Sequence, residues 1–309
     1  MQPQAAWKPV RDSWRQVPCP LCDGQRFERL ARSDRYDMDL VTAGCLQCGL
    51  VMTNPQPDEQ ALDAFYRDHY RHYYQKTDTP SAAYIREFRK DERAATTAEF
   101  LRSQGLLFPG AAVLDIGASE GCILKAIADL ESTTHRVAVE PNPLFGAFAI
   151  DHAGCTLHTS VDALRAAGSR TFDLIIMNHV YEHVAHPVRF LADLKTLLTP
   201  RGQVYIDVPD ITEYERLDSL HIAHLYHFGP DTLARAAARA GFAVNRLEKH
   251  RPVMHPLSLR CVLQPAAVTT PALHNLHEGW DRVRQADRDA WRYHRRRWSL
   301  PRRLAHRWF

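Results

Sequence analysis

The nine residues Val113-Leu-Asp-Ile-Gly-Ala-Ser-Glu-Gly121 constrain the fold more than any other stretch of the chain. Val113, Leu114 and Ile116 form the apolar run of a strand covered on both faces, and Gly117 permits a sharp turn at its end. Gly121 lets a helix pack closely, and Ile123, Leu124 and Ile127 then recur at helical spacing. The unit reads as strand, tight turn and helix, with the helix N-terminus facing whatever binds above the turn. From Ala111 onward strands and helices alternate, the signature of a doubly wound α/β sheet. Strands are expected near 111–116, 136–140, 155–159, 172–177, 203–208, 243–250 and 257–264, and helices near 120–130, 142–153, 186–198 and 230–240. Sheets of this kind bind ligands outside the carboxyl ends of their strands, where the strand order reverses.

The spacing of the turn selects among ligands. The dinucleotide pattern G-x-G-x-x-G needs glycine at positions 119 and 122, where Ser119 and Cys122 stand, so that fingerprint fails twice. What is present, D-x-G-x-S-x-G from Asp115, resembles the first motif of class I S-adenosylmethionine (SAM) methyltransferases. In that family a carboxylate and a glycine turn hold the amino acid end of the cofactor. The resemblance implies that Asp115, Gly117, Ser119 and Gly121 line this end, with Asn178, at the end of the fourth strand, also in the cofactor site. Glu140 ends the second strand 25 residues after Asp115, where a carboxylate can accept both ribose hydroxyls of an adenosine. Ser160, Val161 and Asp162 follow the third strand, where family members contact adenine.

The fourth strand and its exit loop read Phe172-Asp-Leu-Ile-Ile-Met-Asn-His-Val-Tyr-Glu-His-Val184. His179-x-x-Glu182-His183 matches the inverted zinc-protease pattern, but that pattern needs a continuous helix. Here the residues leave a buried strand, and Pro187 opens the next helix, so the protease reading is rejected. The stretch resembles the fourth methyltransferase motif instead, and Thr199-Pro-Arg-Gly202 resembles the family's K-P-G-G turn. The ordered motifs run from Val113 to Phe242 and imply an α/β, doubly wound, seven-stranded Rossmann-like methyltransferase sheet.

Four of the seven cysteines fall into two C-x-x-C pairs, Cys19/Cys22 and Cys45/Cys48, separated by 22 residues. Each pair puts two thiolates on one turn, and together they complete a tetrahedral zinc site with no open position, hence a structural one. The intervening Phe27 to Val41 supplies strand-like residues for a zinc ribbon. Cys122, Cys155 and Cys261 are scattered singly on expected core elements, a usage that fits a reducing cytoplasm. No secretory signal is visible, and no 18 apolar residues run together as a membrane helix would require. The net charge of +3 gives no global pull toward nucleic acid or membrane.

The expected organisation is a zinc ribbon over 1–57, a helical linker or lid over 58–105, the methyltransferase domain over 106–265 and a basic helical tail over 266–309. Asp58 to Tyr74 and Ser81 to Leu101 read as helices, with Leu62, Phe65, Tyr66, Tyr70 and Tyr73 on an aromatic face. From Glu278 to Phe309 ten arginines stand against four acids, and Trp280, Trp291 and Trp298 fall on one helical stripe. Such a stripe suits an anionic membrane surface, RNA or a partner. Docking on the protein itself is the expectation, because three tryptophans are a large apolar area to leave exposed.

The ribbon with its flank Cys45-Leu-Gln-Cys-Gly-Leu-Val-Met-Thr-Asn-Pro55, the Glu182-His183 loop and His224-Leu-Tyr-His-Phe228 together resemble the zinc-ribbon methyltransferases. That group includes deoxysugar C-methyltransferases and enzymes of glycan and natural-product clusters. In the sugar enzymes the last histidine of a Tyr-His-Glu-His segment is a proposed base, and His224 takes its place. Two departures stand beside the match: the residues before it are His221-Ile-Ala, and no room remains after Gln264 for the further C-terminal domain of those enzymes. The resemblance implies a SAM-dependent methyltransferase acting on a hydroxyl or acidic carbon of a small-molecule acceptor, a sugar, glycan or secondary metabolite. His224, then His183 and His179, are the candidate bases. An RNA methyltransferase and a non-catalytic SAM-binding partner protein are the alternative readings.

Overall fold

The computed structural model describes residues 12–299 apart from 36–38, 73–76, 169–170, 216–219 and 273, with side chains to residue 289. The strands are β1 (Phe27–Ser33), β2 (Asp39–Cys45), β3 (Val51–Thr53), β4 (Ala112–Ile116), β5 (His135–Val139), β6 (Thr156–His158), β7 (Phe172–Asn178), β8 (Leu198–Pro209), β9 (Tyr226–His227), β10 (Phe242–His250) and β11 (Ser258–Pro265). The α-helices are α1 (Glu59–Asp68), α2 (Ala82–Glu87), α3 (Lys90–Ser103), α4 (Cys122–Leu130), α5 (Pro143–Ala153), α6 (Val161–Ala166), α7 (Pro187–Leu194), α8 (Pro230–Arg239) and α9 (Trp280–Ser299).

Seven strands form one sheet in the order β10-β11-β8-β7-β4-β5-β6. The run from β8 to β6 is parallel, and β11 is antiparallel to both its neighbours. Val113, Leu114, Leu174, Ile175 and Ile176 are fully buried, as the central strands of a sheet covered on both faces must be. The strand order reverses beside β4, so the switch point of the fold lies over the glycine turn.

Local chemistry explains the boundaries. Asp58 and Ser81 cap α1 and α2 by accepting from Ala61 N–H and Tyr84 N–H, and Asn142 and Ser160 do the same for α5 and α6. The single helix expected over 81–101 is two, because Arg89 adopts φ +48° between α2 and α3. The helix expected over 186–198 ends at Leu194 in a 3-10 turn, Lys195–Leu197. The Thr199–Gly202 turn is absorbed into an irregular start of β8, where the register with β7 shifts between Phe172 and Leu174.

A second, four-stranded sheet has the order β1-β2-β3-β9. Its last strand comes from the far half of the chain: Val51 pairs with His227 and Met52 with Tyr226. The N-terminal sheet and the segment around His224 are therefore one unit. The tail docks on its other side. Trp280 is fully buried, donates from Nε1 to the Gly49 carbonyl (2.8 Å) and lies against Gly44, where a Cβ would come within 2.3 Å of the indole. Val283 and Ala286 extend the contact. The side chains of Trp291 and Trp298 lie outside the described residues, as do Tyr73 and the chain end from 300.

Candidate active site

The glycine turn closes the carboxyl end of β4 with positive φ at Gly117 (+74°), Ser119 (+55°) and Gly121 (+78°). A Cβ on Gly117 would fall 2.5 Å from Val180 Cγ2, so the position demands glycine for space as well as for conformation. At Gly121 a Cβ would press on Ala149 and Ala153 at 3.1–3.2 Å, so this glycine admits α5.

Glu140 knits the turn to β5. Its Oε1 accepts from Asn142 N–H (3.0 Å), and its Oε2 accepts from Ser119 N–H (2.9 Å) and from Arg71 (2.9 Å). Arg71 also donates to Ser119 Oγ (2.8 Å) and lies 4.1 Å over the Phe145 ring. Asp115 is 2% exposed, and burial, with the Glu140 carboxylate adding to it, pushes its carboxyl up to about 8. Asp115, Gly117, Ser119, Glu140 and Asn178 all line one cavity of about 950 Å³, together with Thr159 and Ser160. Val161 is buried behind this wall, and the Asp162 side chain is 92% exposed and pairs with Arg165.

The same cavity is also lined by a cluster of imidazoles. His179, His183, His221, His224 and His255 all line it. His179 leaves β7 at φ +54°, held by its N–H donating to the Asp207 carbonyl (2.8 Å). His183 follows on the 3-10 turn Tyr181–His183 and stacks edge-on against His224 at 4.9 Å between ring centroids. His224 is placed by the accessory sheet: Thr53 Oγ1 donates to its carbonyl (3.1 Å), and Thr53 N–H donates to the next carbonyl, Leu225 (2.9 Å). Glu182 sits at the centre, with Oε1 3.5 Å from His179 Nδ1, 3.8 Å from His183 Nε2 and 3.9 Å from His224 Nε2. The three proposed bases therefore converge on one carboxylate.

Burial holds His183 below the ordinary histidine range, and it holds His224 and His221 well below it, with neighbouring imidazoles adding for His224. Near neutral pH these rings are uncharged proton acceptors. Behind them Asp207 Oδ2 accepts from His250 Nε2 (2.8 Å) and Tyr205 Oη (3.2 Å).

Several of these contributors lie beyond what sequence reasoning singled out. Asp207 lies near the carboxyl end of β8, so the rule that strand carboxyl ends face the ligand would have flagged it. Glu182 was visible beside His183, but only the fold makes it a hub. Arg71, His250 and His255 carry no local signal; Arg71 and His255 reach the cavity from an accessory segment and from the β10–β11 connection, and His250 reaches Asp207 from β10.

The four sulfurs of Cys19, Cys22, Cys45 and Cys48 lie within 4.8 Å of one another, three of the residues are fully buried, and none is in a disulfide. Cys19 and Cys48 Sγ are 3.4 Å apart, and Cys22 and Cys45 Sγ 3.5 Å. Gly24 leaves them room, since a Cβ there would stand 3.2–3.3 Å from two of the sulfurs. An all-sulfur set of four fits a closed tetrahedral metal site.

A family model described as a methyltransferase domain matches residues 85–247, just over half of the chain. The chain belongs to the methyltransferase domain family. The match covers α3 through most of β10 and leaves β1 to β3 with the four cysteines, and the tail, outside it. This methyltransferase chain is 35% identical over 99 residues to the ubiquinone biosynthesis O-methyltransferase of Dinoroseobacter shibae, covering 31% of this chain and 40% of that one. It is 34% identical over 133 residues to the enzyme of the same name from Parvibaculum lavamentivorans, covering 40% and 48%. The chain thus spans less than half the length of these curated relatives. Among solved structures it shares its fold with 1,6-didemethyltoxoflavin-N1-methyltransferase of Burkholderia thailandensis (TM-score 0.51, 18% identity, 72% of this chain and 96% of that one). The magnesium protoporphyrin IX methyltransferase of Synechocystis, bound to S-adenosylhomocysteine, is similar at TM-score 0.50 and 12% identity, covering 67% and 100%. Among the described residues no helix is long and apolar enough to cross a membrane.

Proposed function

We propose that this methyltransferase uses SAM to methylate a hydroxyl or acidic carbon of a small molecule, in the class of sugars, glycans and secondary metabolites. The observation that carries the reading is the shared cavity: the glycine turn and Glu140 line it together with uncharged buried imidazoles. Asp115, Gly117, Ser119 and Gly121 take the methionine end of the cofactor, Glu140 the ribose hydroxyls, residues 160–162 the adenine, and Asn178 the strand end beside the sulfonium. The names of the ubiquinone O-methyltransferases and of the toxoflavin enzyme support a small acceptor.

Transfer is an in-line displacement. The acceptor oxygen or carbon forms a bond to the methyl carbon, the carbon–sulfur bond breaks, and the sulfonium becomes the thioether of S-adenosylhomocysteine. Alignment and proton removal are what the protein supplies. His224 is the first candidate to accept the proton, with His183 and His179 beside it. Zinc on the four cysteines is structural, because four thiolates leave no position for an acceptor.

Calorimetric titration with S-adenosylhomocysteine tests the cofactor half. Near pH 7 the Asp115 carboxyl is protonated, because its value lies near 8. An arriving ammonium favours the carboxylate, so binding should release up to one proton, read as a dependence of the heat on buffer ionisation enthalpy. The release should fade above pH 8, where the proton has already left. Glu140→Ala, which removes charge-assisted bonds worth about 3 kcal/mol, should weaken binding about a hundredfold. Equal affinity in the variant would overturn the assignment of Glu140.

A further inference from the structure

We infer that Glu182, His183 and His224 form a site for a divalent first-row transition metal inside the cavity, separate from the four-cysteine site. Glu182 is 1% exposed, and neither carboxylate oxygen accepts a hydrogen bond among the described residues. A buried carboxylate left in that state is costly unless a cation faces it. No lysine or arginine among the described residues comes within 4.0 Å of it; its neighbours there are imidazoles, at 3.5–3.9 Å.

Those separations are too long for hydrogen bonds. They suit ligands facing one another across a shared ion, since bonds of about 2.0–2.2 Å in a tetrahedral site leave ligand atoms about 3.4 Å apart. One ligand atom from each of Glu182, His183 and His224 lies within 4.8 Å of the other two. The tautomer is also fixed. His183 Nδ1 is 2.6 Å from the Ala223 carbonyl, which can only accept, so Nδ1 carries the proton and Nε2 presents a bare lone pair toward Glu182. Tyr66 Oη donates to the same carbonyl (2.8 Å) and lies 2.8 Å from His183 Nδ1, toward which, its one proton given to the carbonyl, it can only accept. An imidazole anchored through its second nitrogen is the usual outer-shell arrangement of a metal-binding histidine. Leu225 N–H donates to the Glu182 carbonyl (3.0 Å), clamping the two ligand-bearing segments together.

Two nitrogens and one carboxylate favour zinc, cobalt, iron or manganese over magnesium or calcium, which prefer oxygen cages. His183 and His224 open onto the cavity, so an acceptor hydroxyl can complete the coordination and lose its proton more readily; without the ion His224 takes the proton itself, and with it bound His224 is a ligand and His179 takes the proton. That last role rests on the proposed methyl transfer; cation binding does not.

The test is a cobalt(II) titration of the full chain after its cysteine site has been filled with zinc. One cobalt per chain should bind with visible absorption lacking sulfur-to-cobalt charge transfer, and anomalous scattering from a crystal should place it among the three ligand atoms. Glu182→Gln and His224→Ala should each weaken cobalt binding more than tenfold, whereas Glu182→Asp, which keeps the carboxylate, should retain a nitrogen–oxygen spectrum. Cobalt bound only through sulfur, cobalt located elsewhere, or equal affinity in both variants that fold would overturn the site. S-adenosylhomocysteine binding, measured separately, reports on the methyltransferase reading: its failure with cobalt still bound sinks that reading alone.

Discussion

Changing Cys45 to serine is expected to strip the chain of zinc, unravel the four-stranded sheet and abolish methyl transfer while leaving cofactor binding within about tenfold. Structural zinc sites carry an apparent binding free energy of about 10–16 kcal/mol at neutral pH, more than the stability of most small modules. The sheet here is small, and β3, its third strand, has only three residues. Its loss would reach the active site directly. β9 pairs with β3, and Thr53 holds the His224 carbonyl, so the acceptor wall loses its support when β2 and β3 melt. The proposed cofactor wall stands on β4 and β5, which share one core with the cysteine sheet through Leu114, Ile116 and Val139 but are packed on their other face by Val113, Leu124, Ile127 and Ala149, a contact that does not depend on the zinc site. Metal content, hydrogen exchange over residues 39–53 and 221–228, and S-adenosylhomocysteine titration together check this. Unchanged exchange in a zinc-free variant would contradict it.

Replacing His224 by alanine should lower turnover by about 10²–10⁴-fold, the usual contribution of a positioned acid–base group, with cofactor affinity changed by less than about twofold. The basis is placement. His224 faces the cavity at 9% exposure, uncharged because of its burial, and its main chain is fixed by the accessory sheet rather than by the cofactor turn. A loss of cofactor affinity in step with turnover would show a structural role instead. Full activity would remove His224 from the reaction.

How much of this was legible in the sequence follows from where each feature's determinants lie. The strands of the large sheet are continuous apolar runs, and Gly117 carries its own reason in the turn it makes, so the sheet and the glycine turn could be read locally. The two C-x-x-C pairs likewise announce their own meeting. β9 could not be read, because two residues become a strand only by meeting β3. Arg89 gives no composition signal for the break between α2 and α3. Arg71 lies in the stretch expected as a helix over 58–74 and carries no signal of its own, yet the fold lays it on Glu140 and Ser119. Trp280 was legible as part of an apolar stripe, but its partner, the bare backbone at Gly44, is recognisable only in three dimensions. The central position of Glu182 depends on three histidines that lie on both sides of it in sequence and converge only after the sheet is assembled.

The most direct test is methyl transfer itself. The chain should be incubated with methyl-labelled SAM and a panel of hydroxylated and carbon-acid small molecules, nucleotide sugars and glycans included, beside total RNA. Label should appear in a small-molecule product together with stoichiometric S-adenosylhomocysteine, and should disappear with His224→Ala. Label recovered in RNA and in none of the small acceptors would contradict the proposed function.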